Sequence, residues 1–230
     1  SSGTIFGAGS TAGGITNNGT ISAGPSGIFV NTLTFLGGIG NSGQITSKSG
    51  QGIQVSSVTV FGNSSASGGI TNSGSISANG KGIFVRTNPT FAGGISNGKT
   101  GKIVAKSTGI LIATATVFGN SSSGGGINNS GTISAGKSGI VLDTVSTFAG
   151  GISNAGKIVA RFSGVETFQV ATFTGNIVNN GTITAQEGIH LIGSTITGAI
   201  VDSGSGTITA QIGIHLIGST ITGAIVDSGS

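Results

Sequence analysis

Cysteine is absent from all 230 residues, which excludes a disulfide framework, a thiolate metal site and a thiol nucleophile. Charged residues make up only 6% of the chain, nine basic against five acidic, and the basic ones are scattered. The resulting formal charge of +4 comes from no block and gives no footprint for nucleic acid. No apolar run approaches the ~18 residues that a membrane-spanning helix needs. The acids Asp143, Glu166, Glu187, Asp202 and Asp227 are read as forming no cluster of the kind that glycan-cleaving β-helices carry on a strand face. Methionine is missing too, residue 1 included, and the chain opens in mid-phrase and stops at VDSGS inside another copy. The expectation is a piece of a longer polypeptide, with any export signal or membrane anchor outside it.

What fills the chain instead is repetition. Glycine accounts for 47 residues, with abundant Ser, Thr and Asn, a composition that elsewhere signals disorder. Here 35% of positions are apolar and they recur periodically, which argues for an ordered array. The phrase Gly125–Leu142, GGINNSGTISAGKSGIVL, is rewritten along the whole chain. Its opening isoleucine returns at Ile15, Ile39, Ile70, Ile95, Ile127, Ile152, Ile177, Ile200 and Ile225, at gaps of 23 to 32 residues. Self-similarity at such a period marks a solenoid.

Within each unit three short runs alternate apolar and polar residues, as half-buried strands do. The first is x-I-x-A, with Ile21, Ile45, Ile76, Ile103, Ile133, Ile158, Ile183 and Ile208 directed inward. The second is G-I-x-V, carrying Ile28, Ile53, Ile83, Ile110, Ile140, Val165, Ile189 and Ile214. The third ends in Phe35, Phe61, Phe91, Phe118, Phe148 and Phe173, replaced later by Ile196 and Ile221. The expected fold is all-β: a right-handed parallel β-helix with three short strands per coil of ~25 residues and about nine coils. Asn17, Asn41, Asn72, Asn97, Asn129, Asn154 and Asn179 follow the opening isoleucine by two, with Asp202 and Asp227 in the last copies. They are expected at corners, bonded along the column as a structural ladder, with a glycine two residues on supplying positive φ.

The array, residues 1–230, is one body with two styles. Over 1–152 every second coil carries a longer Gly/Ser loop, GAGSTAGG, GNSSASGG or GNSSSGGG, so the unit is a pair of coils. Over 153–230 the coils are simpler, and residues 183–205 and 208–230 differ only at Glu187 against Ile212.

Two motif matches dissolve in this periodicity. GTISAGKS at Gly131–Ser138 fits a phosphate loop, but the same slot reads GTISAGPS at Gly19–Ser26 and no helical pattern follows. VDSGSG at Val201–Gly206 resembles a serine-protease nucleophile segment, yet it fills the corner slot and repeats at Val226–Ser230. A triad also needs a positioned base and an orienting acid. His190 and His215, a repeat pair in an outward slot, are expected ~4.8 Å apart; without a third ligand they make no metal site, and no catalytic, cofactor or metal residue is assigned. The outward slot of the second strand is apolar early on, and Phe29, Phe84 and Leu111, with the loops Gly62–Gly69 and Gly119–Gly126, form a candidate contact surface. Lys48, Lys106 and Arg161 share one turn column on alternate coils, read as keeping that face soluble.

The full phrase, G-G-I-x-N-x-G-x-I-x-A, then G-I-x-V, then F-x-G-G-I, resembles the passenger repeats of bacterial type V autotransporters, the large adhesin-like ones in particular. The resemblance covers the chain from Phe6 to its end. It implies a right-handed β-helix exported through a C-terminal outer-membrane barrel and displayed outside the cell as a stalk, adhesin or self-associating fibre. The implied partners are other copies of the chain, or glycans and proteins of cell surfaces; nucleic acid is not among them, no cofactor is implied, and the fragment itself does not span a membrane. The leading functional expectation is thus a non-enzymatic structural and adhesive rod at the bacterial surface. The alternatives are a scaffold for a glycan-active enzyme or protease, and an ice- or surface-binding Thr ladder prompted by Thr195/Thr197 and Thr220/Thr222.

Overall fold

A computed structural model of the chain describes residues 5–6, 14–62, 68–119 and 125–228. The fold is an all-β parallel solenoid, and the described residues contain no α-helix. The chain winds through four parallel sheets in turn, visiting each once per lap. One lap shows the order: Ile127–Asn129 in the Asn sheet, Thr132–Ala135 in the Ala sheet, Ile140–Asp143 in the broad sheet and Thr147–Ala149 in the Phe sheet. The Asn and Phe sheets hold nine strands each, the other two hold eight. The nine isoleucine starts are therefore the nine Asn-sheet strands, and they close eight laps between them.

The lap thus has four strands where the sequence pattern predicts three. The extra one is Ile-x-Asn itself, three residues long with both outer residues turned inward: Ile127 is fully buried and Asn129 is 1% exposed. A run that short carries too little alternation to stand out from the turn that follows it.

Equivalent side chains lie over one another throughout. Ile21, Ile45, Ile76, Ile103, Ile133, Ile158, Ile183 and Ile208 pair in register from lap to lap. The Phe column stacks from Phe35 to Phe173 with ring centroids 4.5 to 5.2 Å apart. Neither column can be buried by one lap alone, so cohesion comes from neighbours.

The asparagines form a one-way chain of side-chain hydrogen bonds. Asn17 Nδ2 donates to Asn41 Oδ1, and the pattern continues through Asn72, Asn97, Asn129 and Asn154 to Asn179 at 2.7–2.8 Å per link. Asn179 then donates to Asp202 Oδ1 at 2.8 Å. Asp202 accepts at the end of this run, so every amide from Asn17 to Asn179 donates in the same direction, toward the C-terminal laps. The second N–H of each amide reaches backbone carbonyls at the corner, as Asn97 does at Gly101 and Thr132. The asparagines thus form the expected ladder, each from the last position of an Asn-sheet strand and with its side chain turned toward the core.

The glycine two residues after the asparagine is there for a different reason from the one predicted. Gly43, Gly74, Gly156 and Gly181 are not among the positive-φ positions; among the described glycines of this column only Gly204, at φ 65°, is. A Cβ on Gly74 would lie 2.1 Å from the Gly43 carbonyl oxygen, and one on Gly181 equally close to that of Gly156. At Gly43, Gly74, Gly156 and Gly181 the laps approach so tightly that no side chain fits, whereas Gly19 and Gly204 face open space. Left-handed backbone recurs instead past the Phe sheet, at Gly62, Gly119, Gly150, Gly151 and Gly175, and just past the broad sheet, where its residues are Ser57, Thr87, Thr114, Thr144 and Gln169, and then Gly193 and Gly218. Three of these are threonines, a β-branched residue for which this conformation is strained.

Candidate functional site

Gly-Ile, or Gly-Val at Gly164–Val165, stands at the entry of each broad-sheet strand, and there the alternation of faces breaks. Ile189 is fully buried, yet a Cβ on Gly188 would also point inward, 2.3 Å from Ile208 Cγ2. Gly109, Gly139 and Gly164 stand in the same relation to Ile133, Ile158 and Ile183. With two consecutive residues facing in, the residues on either side of them, three apart in sequence, both face out. Each lap therefore presents two outward columns side by side. One runs Ser26, Gln51, Lys81, Thr108, Ser138, Ser163, Glu187, Ile212; the other runs Phe29, Gln54, Phe84, Leu111, Val141, Glu166, His190, His215.

Side chains of the two columns meet across adjacent laps. Ser26 Oγ donates to Gln54 Oε1 at 3.2 Å, and Ser138 Oγ donates to Glu166 Oε2 at 2.9 Å. Between Thr108 and His190 they wall a groove of about 420 Å³, with Leu111 and Val141 on its floor. Asp143, Glu166 and Glu187 all line it, together with Lys137 and His190. The acids that the sequence scatters are thus partly gathered: three of the five share one groove.

The carboxylate and imidazole groups of the two columns gather at Glu166, Glu187, His190 and His215. Glu187 Oε2 is 2.6 Å from His190 Nδ1, and Glu187 Oε1 is 2.8 Å from His215 Nδ1. One carboxylate thus bridges two imidazoles, which stack with centroids 4.7 Å apart and planes within 6°. The histidine spacing matches the expectation, but the side chains are more enclosed than an outward slot suggests, His190 being 13% exposed and His215 34%. The third ligand-type group that the sequence pattern lacks is Glu187. In a regular strand residues three apart point to opposite faces, which hides the pair; the paired inward Gly188 and Ile189 bring it together. A signal was present, since Glu187 is the one position that distinguishes two otherwise identical copies.

The candidate contact surface is smaller than predicted. Phe29 is 55% exposed, but Phe84 is only 8% exposed. Lys81 Nζ sits 4.4 Å from the centroid of the Phe84 ring and the Arg86 guanidinium 5.8 Å, so cations roof the ring. Burial, with Lys137 and Arg86 nearby, lowers the Lys81 ammonium below its usual 10.5. Leu111 is half-buried in the groove floor. Exposed apolar side chains lie instead at Leu33, at Phe162 and Phe168 beside the acidic laps, and in the last lap at Ile212, Leu216, Ile217, Ile225 and Val226. Of the three long loops, residues 7–13, 63–67 and 120–124 lie outside the described residues.

The other motifs sit where the repeat puts them. Ser203 Oγ donates to Asn180 Oδ1 at 2.7 Å, and both histidines are engaged by Glu187, so no serine–histidine pair forms among the described residues. Gly131–Ser138 runs into the broad sheet, not into a helix. Lys48, Lys106 and Arg161 are exposed. The Thr pairs Thr195/Thr197 and Thr220/Thr222 are exposed, and Thr172/Thr174 extends them by one lap.

No helix among the described residues is long and apolar enough to cross a membrane. The architecture and its ladders define the chain as a parallel β-solenoid. Compared with known protein families, with curated proteins and with solved structures, it matches none.

Proposed function

We propose that this chain is a structural and adhesive rod of a bacterial surface protein, acting outside the cell by contact with glycans, proteins or further copies of itself. The observation that supports this reading most is the continuity of the stack: all four sheets and the Asn and Phe columns run lap after lap. Eight laps at the inter-strand spacing give a rod about 40 Å long, a shape suited to projecting a surface rather than enclosing a substrate. The outer face of the broad sheet is the contact face. Its groove offers hydroxyls, carboxylates, Lys137 and, at one edge, the 41%-exposed Phe162, a mixture that suits a polyhydroxylated chain lying along it. The repeat style, resembling adhesin-like autotransporter passengers, favours the same role and implies an export barrel elsewhere in the parent protein.

The test is binding by the purified chain. Beads coated with it are expected to aggregate with one another or to adhere to glycan-coated surfaces, and Phe162→Ser with Glu166→Gln to reduce adhesion while the β-sheet circular dichroism persists. Beads that neither aggregate nor adhere to glycans or cells would refute the adhesive role. Hydrolysis of polysaccharide or casein by the chain would favour the enzymatic alternative.

A further inference from the structure

The geometry points to a binding site for one late first-row divalent ion, Zn²⁺ foremost, formed by Glu187, His190 and His215. The three side chains place one ligand atom each within 4.8 Å of one another. Two imidazole nitrogens and a carboxylate oxygen are the donor set that zinc, copper and nickel select. Calcium and magnesium prefer all-oxygen shells. In the ion-free arrangement Glu187 draws both Nδ1 atoms to its two oxygens. An ion of Zn–N and Zn–O length ~2.1 Å takes the place of the protons shared there, holding His190 Nδ1, His215 Nδ1 and Glu187, with solvent completing the shell.

Two details bear on how the site loads. Nitrogen lone pairs lie in the ring plane, and these planes are nearly parallel, so one ring must tilt before both nitrogens reach the same ion. His215 is the freer of the two, at 34% exposure against 13% for His190. His190 is fixed, and its Nε2 is buried without a hydrogen-bond partner. Once Nδ1 is metal-bound, Nε2 carries the proton and needs an acceptor, since ligating histidines donate their other N–H to a carboxylate, carbonyl or water. Glu166, the register partner of His190, lines the same groove with its Oε2 accepting from Ser138 Oγ, and its carboxylate would have to turn toward Nε2 to supply that acceptor. The near-identical copy that follows has Ile212 where Glu187 stands, so the stoichiometry is one ion per chain.

Calorimetric titration of the 230-residue chain with Zn²⁺ tests this. The expected result is saturable uptake of one ion per chain, weakened in Glu187→Gln and in His215→Gln by more than the ~10–100-fold that loss of a supporting residue costs. The imidazole NMR resonances of both histidines should move together on titration of the unsubstituted chain, a readout independent of whether the variants fold. Absence of saturable uptake, equal uptake in both folded variants, or histidine resonances that ignore the ion would overturn the assignment.

Discussion

Ile133→Asp is expected to break the stack at its middle. The Ile133 side chain is fully buried, with Ile103 on one side and Ile158 on the other. Removing it forfeits the transfer and cavity terms that make a buried Ile-to-small change cost about 2–5 kcal/mol. An unpaired carboxylate in the same place adds several more, because the surrounding column offers only apolar atoms. The sum is about 5 kcal/mol or more, in the range where a single change is diagnostic. The next residue supplies the control. Ser134 pairs with Val104 and Val159 on the outer face of the same strand, and Ser134→Asp is expected to stay within about 0.5 kcal/mol. Chemical denaturation of the two variants checks the alternation directly, and similar losses would contradict it.

The second large effect belongs to the Asn column. Asn97 is fully buried; it accepts from Asn72 and donates to Asn129 and to the carbonyls of Gly101 and Thr132. In Asn97→Leu a donor and an acceptor in the neighbouring laps lose their partner, as do two carbonyls. Each buried group left unpaired costs about 1–3 kcal/mol, so a loss of roughly 3–5 kcal/mol is expected after partial rescue by water. Asn97→Asp keeps the shape and the bond accepted from Asn72 but puts an oxygen in place of Nδ2, against three acceptors, and is expected to be no better than leucine at neutral pH. Denaturation midpoints of both variants measure this. If either matched the unsubstituted chain, the ladder would be a geometric coincidence.

The legible parts of this molecule are those that repeat at fixed spacing. The Ile, Phe and Asn columns could be drawn from the sequence because each recurs once per lap, and stacking follows from period alone. What stayed hidden depends on departures from alternation. Ile-x-Asn is too short to declare itself a strand. The corner glycines are explained by contact with the carbonyl of the previous lap, a fact about neighbours that no local φ argument contains. Gly188 and Ile189 both face inward, so Glu187 joins His190 on the outer surface, where strict alternation would set them apart. Phe84 occupies an outward slot as expected, but Lys81 and Arg86 fold over it, and long side chains covering an apolar ring leave no trace in the spacing of residues.

Because the chain has no native cysteine, spin labels can be placed at will, and their distances test the stacking most directly. Thr46, Val159, Thr184 and Thr209 occupy one outward column of the Ala sheet. With one label at Thr46 and the second at Val159, Thr184 or Thr209, pulsed electron resonance should give backbone-equivalent separations of about 19, 24 and 29 Å, one strand spacing of ~4.8 Å per lap. Distances that fail to lengthen by one spacing for each lap would contradict the parallel stack on which the rod, the groove and the metal site all rest.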